Sequence, residues 1–153
     1  MINGLIDIKN NNTLPCPRCG AIGALKIGQL HTHGKLRWFE SVRCNQCGLN
    51  READGIGFPP IEMRNFLINN EGLWAIKIDH VKSLINTIKT IKTALSIDMN
   101  AASSLIKNNS KIIFSGTKGE ALWLIDLLEK CGESPVLLAN ENNKAQPFQP
   151  ASL

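Results

Sequence analysis

Four cysteines carry the sharpest chemical signal in this sequence: Cys16, Cys19, Cys44 and Cys47, spaced C-x2-C-x24-C-x2-C. Two residues between the cysteines of a pair let one tight turn aim both sulfurs at a single point, and Gly20 and Gly48 follow at once, where the chain takes positive φ most easily. Four thiolates complete the tetrahedron that zinc prefers and leave no position for water. The expected cofactor is therefore one structural Zn2+, which folds the chain rather than reacting. A redox dithiol is the other reading of a C-x-x-C pair. Two such pairs, each with its glycine, favour zinc over it.

The elements that must position these sulfurs follow from the residues between them. The stretches 24–30 and 35–43 alternate as two strands, and "HTHG" (31–34) is their turn. Pro15 and Pro17 stiffen the approach to the first pair. Knuckle, hairpin, knuckle over residues 13–50 resembles the zinc-ribbon family. A ribbon of that size buries too little apolar surface to hold itself without the ion. His31 and His33, an H-x-H pair, fall at the hairpin tip far from the sulfurs, where they line the turn or contact a second metal or a phosphate. On the second strand, alternation puts Arg37, Phe39, Ser41 and Arg43 on one face and Leu36, Trp38, Glu40 and Val42 on the other. The first face, an aromatic between arginines, is a candidate partner surface able to stack on a base and touch phosphate. The simpler reading makes Trp38 and Val42 a small core and leaves the arginines in solvent.

The whole chain has 153 residues, a net charge of +4 and 43% hydrophobic residues, values of an ordinary globular protein. All its arginines (18, 37, 43, 51 and 64) precede position 65, yet residues 1–72 and 73–153 each carry a net +2. A change in residue usage without a change in charge points to two modules. We read 1–12 as an N-terminal segment, 13–54 as the ribbon, 55–72 as a connection with a short helix over 61–68, 73–141 as an α/β domain and 142–153 as a flexible tail. In that helix Ile61, Phe66, Leu67 and Ile68 form the apolar face. Asp54 and Glu62 read as solvated carboxylates. The opening "MINGLIDIKNNN" has Asp7 within its apolar stretch and no long hydrophobic run, so no secretory signal and no membrane span are expected, and the location is expected to be cytoplasmic.

The second module reads as strand (73–79), helix (80–95), shorter helix (96–109), strand (111–116), helix (from "TKGE" at 117–120 through Lys130) and strand (134–140). In the first helix Val81, Leu84, Ile85, Ile88, Ile91 and Leu95 recur at helical spacing, with Lys82, Lys89 and Lys92 on the other side. The T-x-x-E of 117–120 is a capping box, and Gly132 is the matching stop. Ala121, Ile125, Leu128 and Cys131 follow the buried spacing, which makes Cys131 a small core residue. Trp123 lies on a flank, either packed or an anchor for a partner. The order βααβαβ, with "LSIDMNAASSLIK" and "GEALWLIDLLEKCGESPVLL", resembles the C-terminal domain of the bacterial ribosomal stalk protein, a fold shared by the adaptor of the Clp protease. The expected class is thus α+β: a small zinc ribbon followed by a two-layer βααβαβ domain.

The resemblance implies a docking domain and not an enzyme, with Lys89 and Lys92 where basic residues of the stalk domain grip translation factors. No Ser-His-Asp order, glycine-rich phosphate loop or open metal site argues for catalysis, and His80 reads as a helix cap or a surface residue. The expected function is a zinc-binding protein-interaction module, an adaptor or an inhibitor such as a toxin-neutralising immunity protein. Its partner would be a protein, a toxin or a translation-related factor. Candidate contact residues are Arg37, Phe39, Arg43, Lys89, Lys92 and Trp123. The alternative is a zinc-ribbon protein that binds nucleic acid or the ribosome.

Overall fold

The alternation read over 24–43 forms a hairpin, and the hairpin grows into a sheet. A computed structural model describes residues 13–139 and 146–150. The N-terminal segment 1–12 and positions 140–145 and 151–153 lie outside the described residues. The chain divides into two units, Met1–Asn70 and Glu71–Leu153. Among the described residues it is α+β, with two small antiparallel sheets and four helices. None of those helices is long and apolar enough to cross a membrane.

In unit 1, β1 (Thr13–Leu14), β2 (Leu25–Thr32), β3 (Lys35–Arg43) and β4 (Asn50–Ile56) pair antiparallel in that order. The turn is tighter than the four residues expected. His33 (φ 51°) and Gly34 (φ 76°) are both left-handed, with Thr32 opposite Lys35. Two such residues make the turn whose twist suits a hairpin. His31 therefore belongs to β2, opposite Leu36.

Strand β4 extends the expected hairpin, and it takes in Gly55 and Ile56, read from sequence as the start of the connection. Its residues are mostly polar, as befits an edge strand, which must discourage pairing with other chains. Gly55 sits opposite Trp38, and a Cβ there would come within 2.5 Å of the indole. The glycine thus makes room for the ring.

Two small clusters hold the sheet. Cys16, Ala24, Val42 and Cys44 are buried together at one end. Ile27 is buried against α1 (Ile61–Glu71) through Met63 and Leu67, with Trp38 and Phe66 packed alongside. The face of α1 differs from the expected one: Ile61 is exposed, and Met63 and Leu67, one turn apart, do the packing. Arg64 is buried with its guanidinium 5.6 Å from the Phe58 ring centre, a cation–π distance.

In unit 2, β5 (Trp74–Lys77), α2 (Leu84–Leu95), α3 (Met99–Ile106), β6 (Ile112–Gly116), α4 (Lys118–Lys130) and β7 (Val136–Ala139) follow in order. The sheet runs β6-β5-β7, both neighbours antiparallel to the central strand. Ile76, Ile91, Ala102, Ala121, Leu124 and Leu128 form the centre of its core, each fully buried.

The ends of α4 organise this unit. Thr117 and Glu120 make the expected capping box at its start. At its end, Glu133 N–H donates to the Leu128 carbonyl and Gly132 N–H to that of Glu129, the paired bonds of a glycine-terminated helix. That turn places the buried Glu133 carboxylate across the start of α2. There it accepts from the amides of Lys82 and Ser83 at 3.0–3.1 Å and from the Thr87 hydroxyl at 2.7 Å. Helix α2 consequently starts at Leu84 and not at His80, which lies in the preceding bend. Its buried positions are Thr87, Ile91 and Leu95, while Leu84 and Ile85 stay exposed. On α4, Leu124 and Trp123 are buried in place of Ile125 and Cys131, which are half-buried.

Candidate metal centre

Each C-x-x-C pair folds through the same local bonds. Gly20 N–H donates to the Cys16 carbonyl and Gly48 N–H to that of Cys44; Cys16 N–H donates to the Ala21 carbonyl and Cys44 N–H to that of Leu49. Gly20 (φ 79°) and Gly48 (φ 75°) take the left-handed conformation that reverses the chain after the second cysteine. The reversal turns amides toward sulfur: Arg18 N–H lies 3.4 Å from Cys16 Sγ. Pairing of β2 with β3 brings the two knuckles together, since Leu25 stands opposite Val42, and the Arg43 amide donates to the Ala24 carbonyl.

The four Sγ atoms all lie within 4.8 Å of one another. Cys16 Sγ is 3.7 Å from Cys47 Sγ, and Cys19 Sγ is 3.4 Å from Cys44 Sγ. These distances are too long for disulfides. Four cysteines are positioned to coordinate one metal ion.

The electrostatics agree with the geometry. The Cys16 thiol is lowered to about 6, chiefly by its bond with the Cys19 backbone and against the effect of burial. Cys44 is lowered likewise, led by the Cys47 backbone. At Cys19 the Ala21 backbone works in the same direction, but the sulfur of Cys44, burial and the other two sulfurs outweigh it and push the thiol up to about 12. Four negative sulfurs at this spacing need a cation among them, and the last thiol keeps its proton without one. Cys16 and Cys44 are buried, whereas Cys19 is exposed. The groove over the site is walled by the two knuckles, Ala24 and Arg43 and contains no histidine or carboxylate.

The other sequence-derived candidates fall in three places. Arg37, Phe39 and Arg43 share a face of β3, but β4 sets carboxylates on that same face. Asp54 is opposite Phe39, Glu52 is opposite Ser41, and Glu52 bonds Arg43 at 3.2 Å. Strand β4 was not legible in the sequence, so neither was this charge balance. Lys89 and Lys92 are exposed on α2, in one row with Ile85. Trp123 is only 6% exposed and offers no surface to a partner in this structure. Leu84, Ile85 and Met99 are large apolar side chains left 46%, 66% and 48% exposed, a placement the sequence did not show. The helical spacing that marks Leu84 and Ile85 as apolar does not say which of them faces the sheet.

Comparison of the chain with protein-family models, with curated proteins and with solved structures found no match.

Proposed function

We propose that this protein is a non-enzymatic, zinc-stapled interaction module that holds one protein partner as an adaptor or an inhibitor. Zinc is the ion of choice because Zn–S bonds of about 2.3 Å around a tetrahedron require S···S edges of about 3.8 Å. The edges of 3.7 and 3.4 Å are close to that. A closed set of four thiolates gives the ion no open position for substrate, so its role is to fold unit 1.

The observation that carries the partner reading is the outer surface of α2. Ile85, Lys89 and Lys92 stand at i, i+4 and i+7, so an exposed isoleucine and two lysines form one row, flanked by exposed Leu84. Helix α2 contains no acidic residue to neutralise it. Exposed Leu84 and Ile85 beside two lysines fit a partner surface that is apolar and acidic. The order β-α-α-β-α-β around a central β5 supports grouping unit 2 with the stalk-protein domain and the Clp adaptor, which dock through helices. A translation-related factor or a toxin is then the class of partner, and a cytoplasmic setting suits the free thiols.

Nucleic-acid binding through Arg37, Phe39 and Arg43 is the weaker reading. Asp54 and Glu52 stand among those arginines and repel phosphate.

The test is a pull-down with the zinc-loaded protein at low and high salt, with and without nuclease, beside an I85D/K89E/K92E variant. One stoichiometric protein that survives salt and nuclease and is lost in the variant is the expected result. Recovery of nucleic acid that the variant still binds would reverse the ranking.

A further inference from the structure

Among the described residues strand β6 is an edge of its sheet, and an edge strand offers backbone groups to any extended segment. Here the chain supplies one itself. The Phe148 amide donates to the Ser115 carbonyl at 2.7 Å, and the Phe148 ring meets that of Phe114 with centroids 5.8 Å apart at 39°. Ser115 and Phe114 are both buried. The segment flanking Phe148 is "QPFQP", residues 146–150.

The docking is built to be short. Residues facing a neighbouring strand alternate, so a strand paired to β6 through 148 would also turn 146 and 150 toward it. Pro150 has no N–H to give, so pairing stops one step past Phe148. An aromatic anchor and the Phe148 amide bond, bounded by proline, make an occupant that another segment can displace.

We propose that the β6 edge at Ser115 and Phe114 is a strand-addition site for an extended peptide of a partner protein carrying one aromatic residue, and that Phe148 fills this site in cis. The cis segment shows the chemistry the site recognises: a backbone N–H for the Ser115 carbonyl and a ring for Phe114. A partner segment with an N–H where this chain has Pro150 pairs further along the edge and displaces it. The site is independent of α2, so it stands or falls separately from the partner surface proposed above.

The experiment uses the full zinc-loaded chain and its Phe148→Ala variant. The probe is an acetylated, amidated peptide of residues 145–151 (AQPFQPA), with binding read by calorimetry and by amide shifts at Ser115. Short tethers hold their ends at millimolar effective concentration. A peptide that binds the variant in the sub-millimolar range should therefore bind the parent chain at least about tenfold more weakly. The same peptide carrying Pro150→Thr should bind the variant severalfold more tightly, and one carrying Phe148→Ala should not bind. In the parent chain the Phe148 amide should exchange with solvent at least about tenfold more slowly than in the free peptide.

Equal binding to both proteins, or none to a variant whose thermal unfolding matches that of the parent, overturns the proposal. So does an unprotected Phe148 amide. A parent chain that runs as a dimer, with the variant a monomer, overturns the cis assignment by seating the segment on a second copy.

Discussion

Unit 1 gathers four sulfurs at one end of its sheet; unit 2 gathers helix ends. In unit 1 the cluster at that end consists of Cys16, Ala24, Val42 and Cys44, so two of its four buried residues belong to the cysteine set positioned for a metal ion. Core and candidate metal site are the same object, so on the proposed reading taking the ion away removes both. Among the described residues, unit 2 has no cluster of metal-ligating side chains. Its core runs through β5, β6 and three helices, and one turn after α4 uses Gly132 to end that helix and Glu133 to start α2. A small sheet with polar edges needs a bond-strength staple, whereas a unit with three helices can be tied by hydrogen bonds at their termini.

The largest effect that sharpens this contrast is loss of a sulfur. Cys44→Ser should abolish stoichiometric zinc binding and unfold unit 1, because structural zinc sites contribute on the order of 10 kcal/mol to folding. Metal analysis and the fluorescence of Trp38 would report it, with Trp74 and Trp123 of unit 2 unchanged. Next comes Glu133→Ala. It removes the carboxylate that three donors share, and should cost unit 2 about 2–3 kcal/mol by denaturant unfolding with no change in zinc content.

Acid tests the same group more gently. The Glu133 carboxyl is held below the ordinary 4.5: burial opposes this, but the amides of Ser83 and Lys82 and the Thr87 hydroxyl prevail. A carboxylate with a lowered folded pKa stabilises above its unfolded value, and that contribution is lost as pH falls below 4.5 through the folded value. Unit 2 should lose stability only in that range, and Glu133→Gln should flatten the loss. Unit 1 should give up its ion at higher pH, since thiolates take protons before carboxylates do. The smallest change is Thr117→Ala, which removes half of the capping box and should lower the stability of unit 2 by about 1 kcal/mol in thermal unfolding.

The same contrast explains what the sequence shows. The ligands of unit 1 were legible because thiolate chemistry fixes both residue type and spacing, and the knuckle bonds repeat the repeat in sequence. The capping box of Thr117 and Glu120 and the stop at Gly132 were legible because they are local. Strand β4 was hidden: "NREADGI" is mostly polar and has a glycine that only the Trp38 ring opposite explains. The start of α2 was misplaced by four residues because its cap, Glu133, comes from fifty residues away. The buried faces of α1 and α4 depend on which side meets the sheet, a choice that periodicity alone leaves open. The segment at 146–150 read as loose tail because its prolines and glutamines conceal one docked ring.

The most direct measurement is amide hydrogen exchange along the zinc-loaded chain, before and after a chelator strips the metal. The expected result is loss of protection across residues 25–56 with protection retained across 74–130, including the amides of Lys82 and Ser83. Equal loss in both units, or protection of β2 and β3 that survives complete metal removal, would contradict the account of one unit held by its ion and the other by its helix ends.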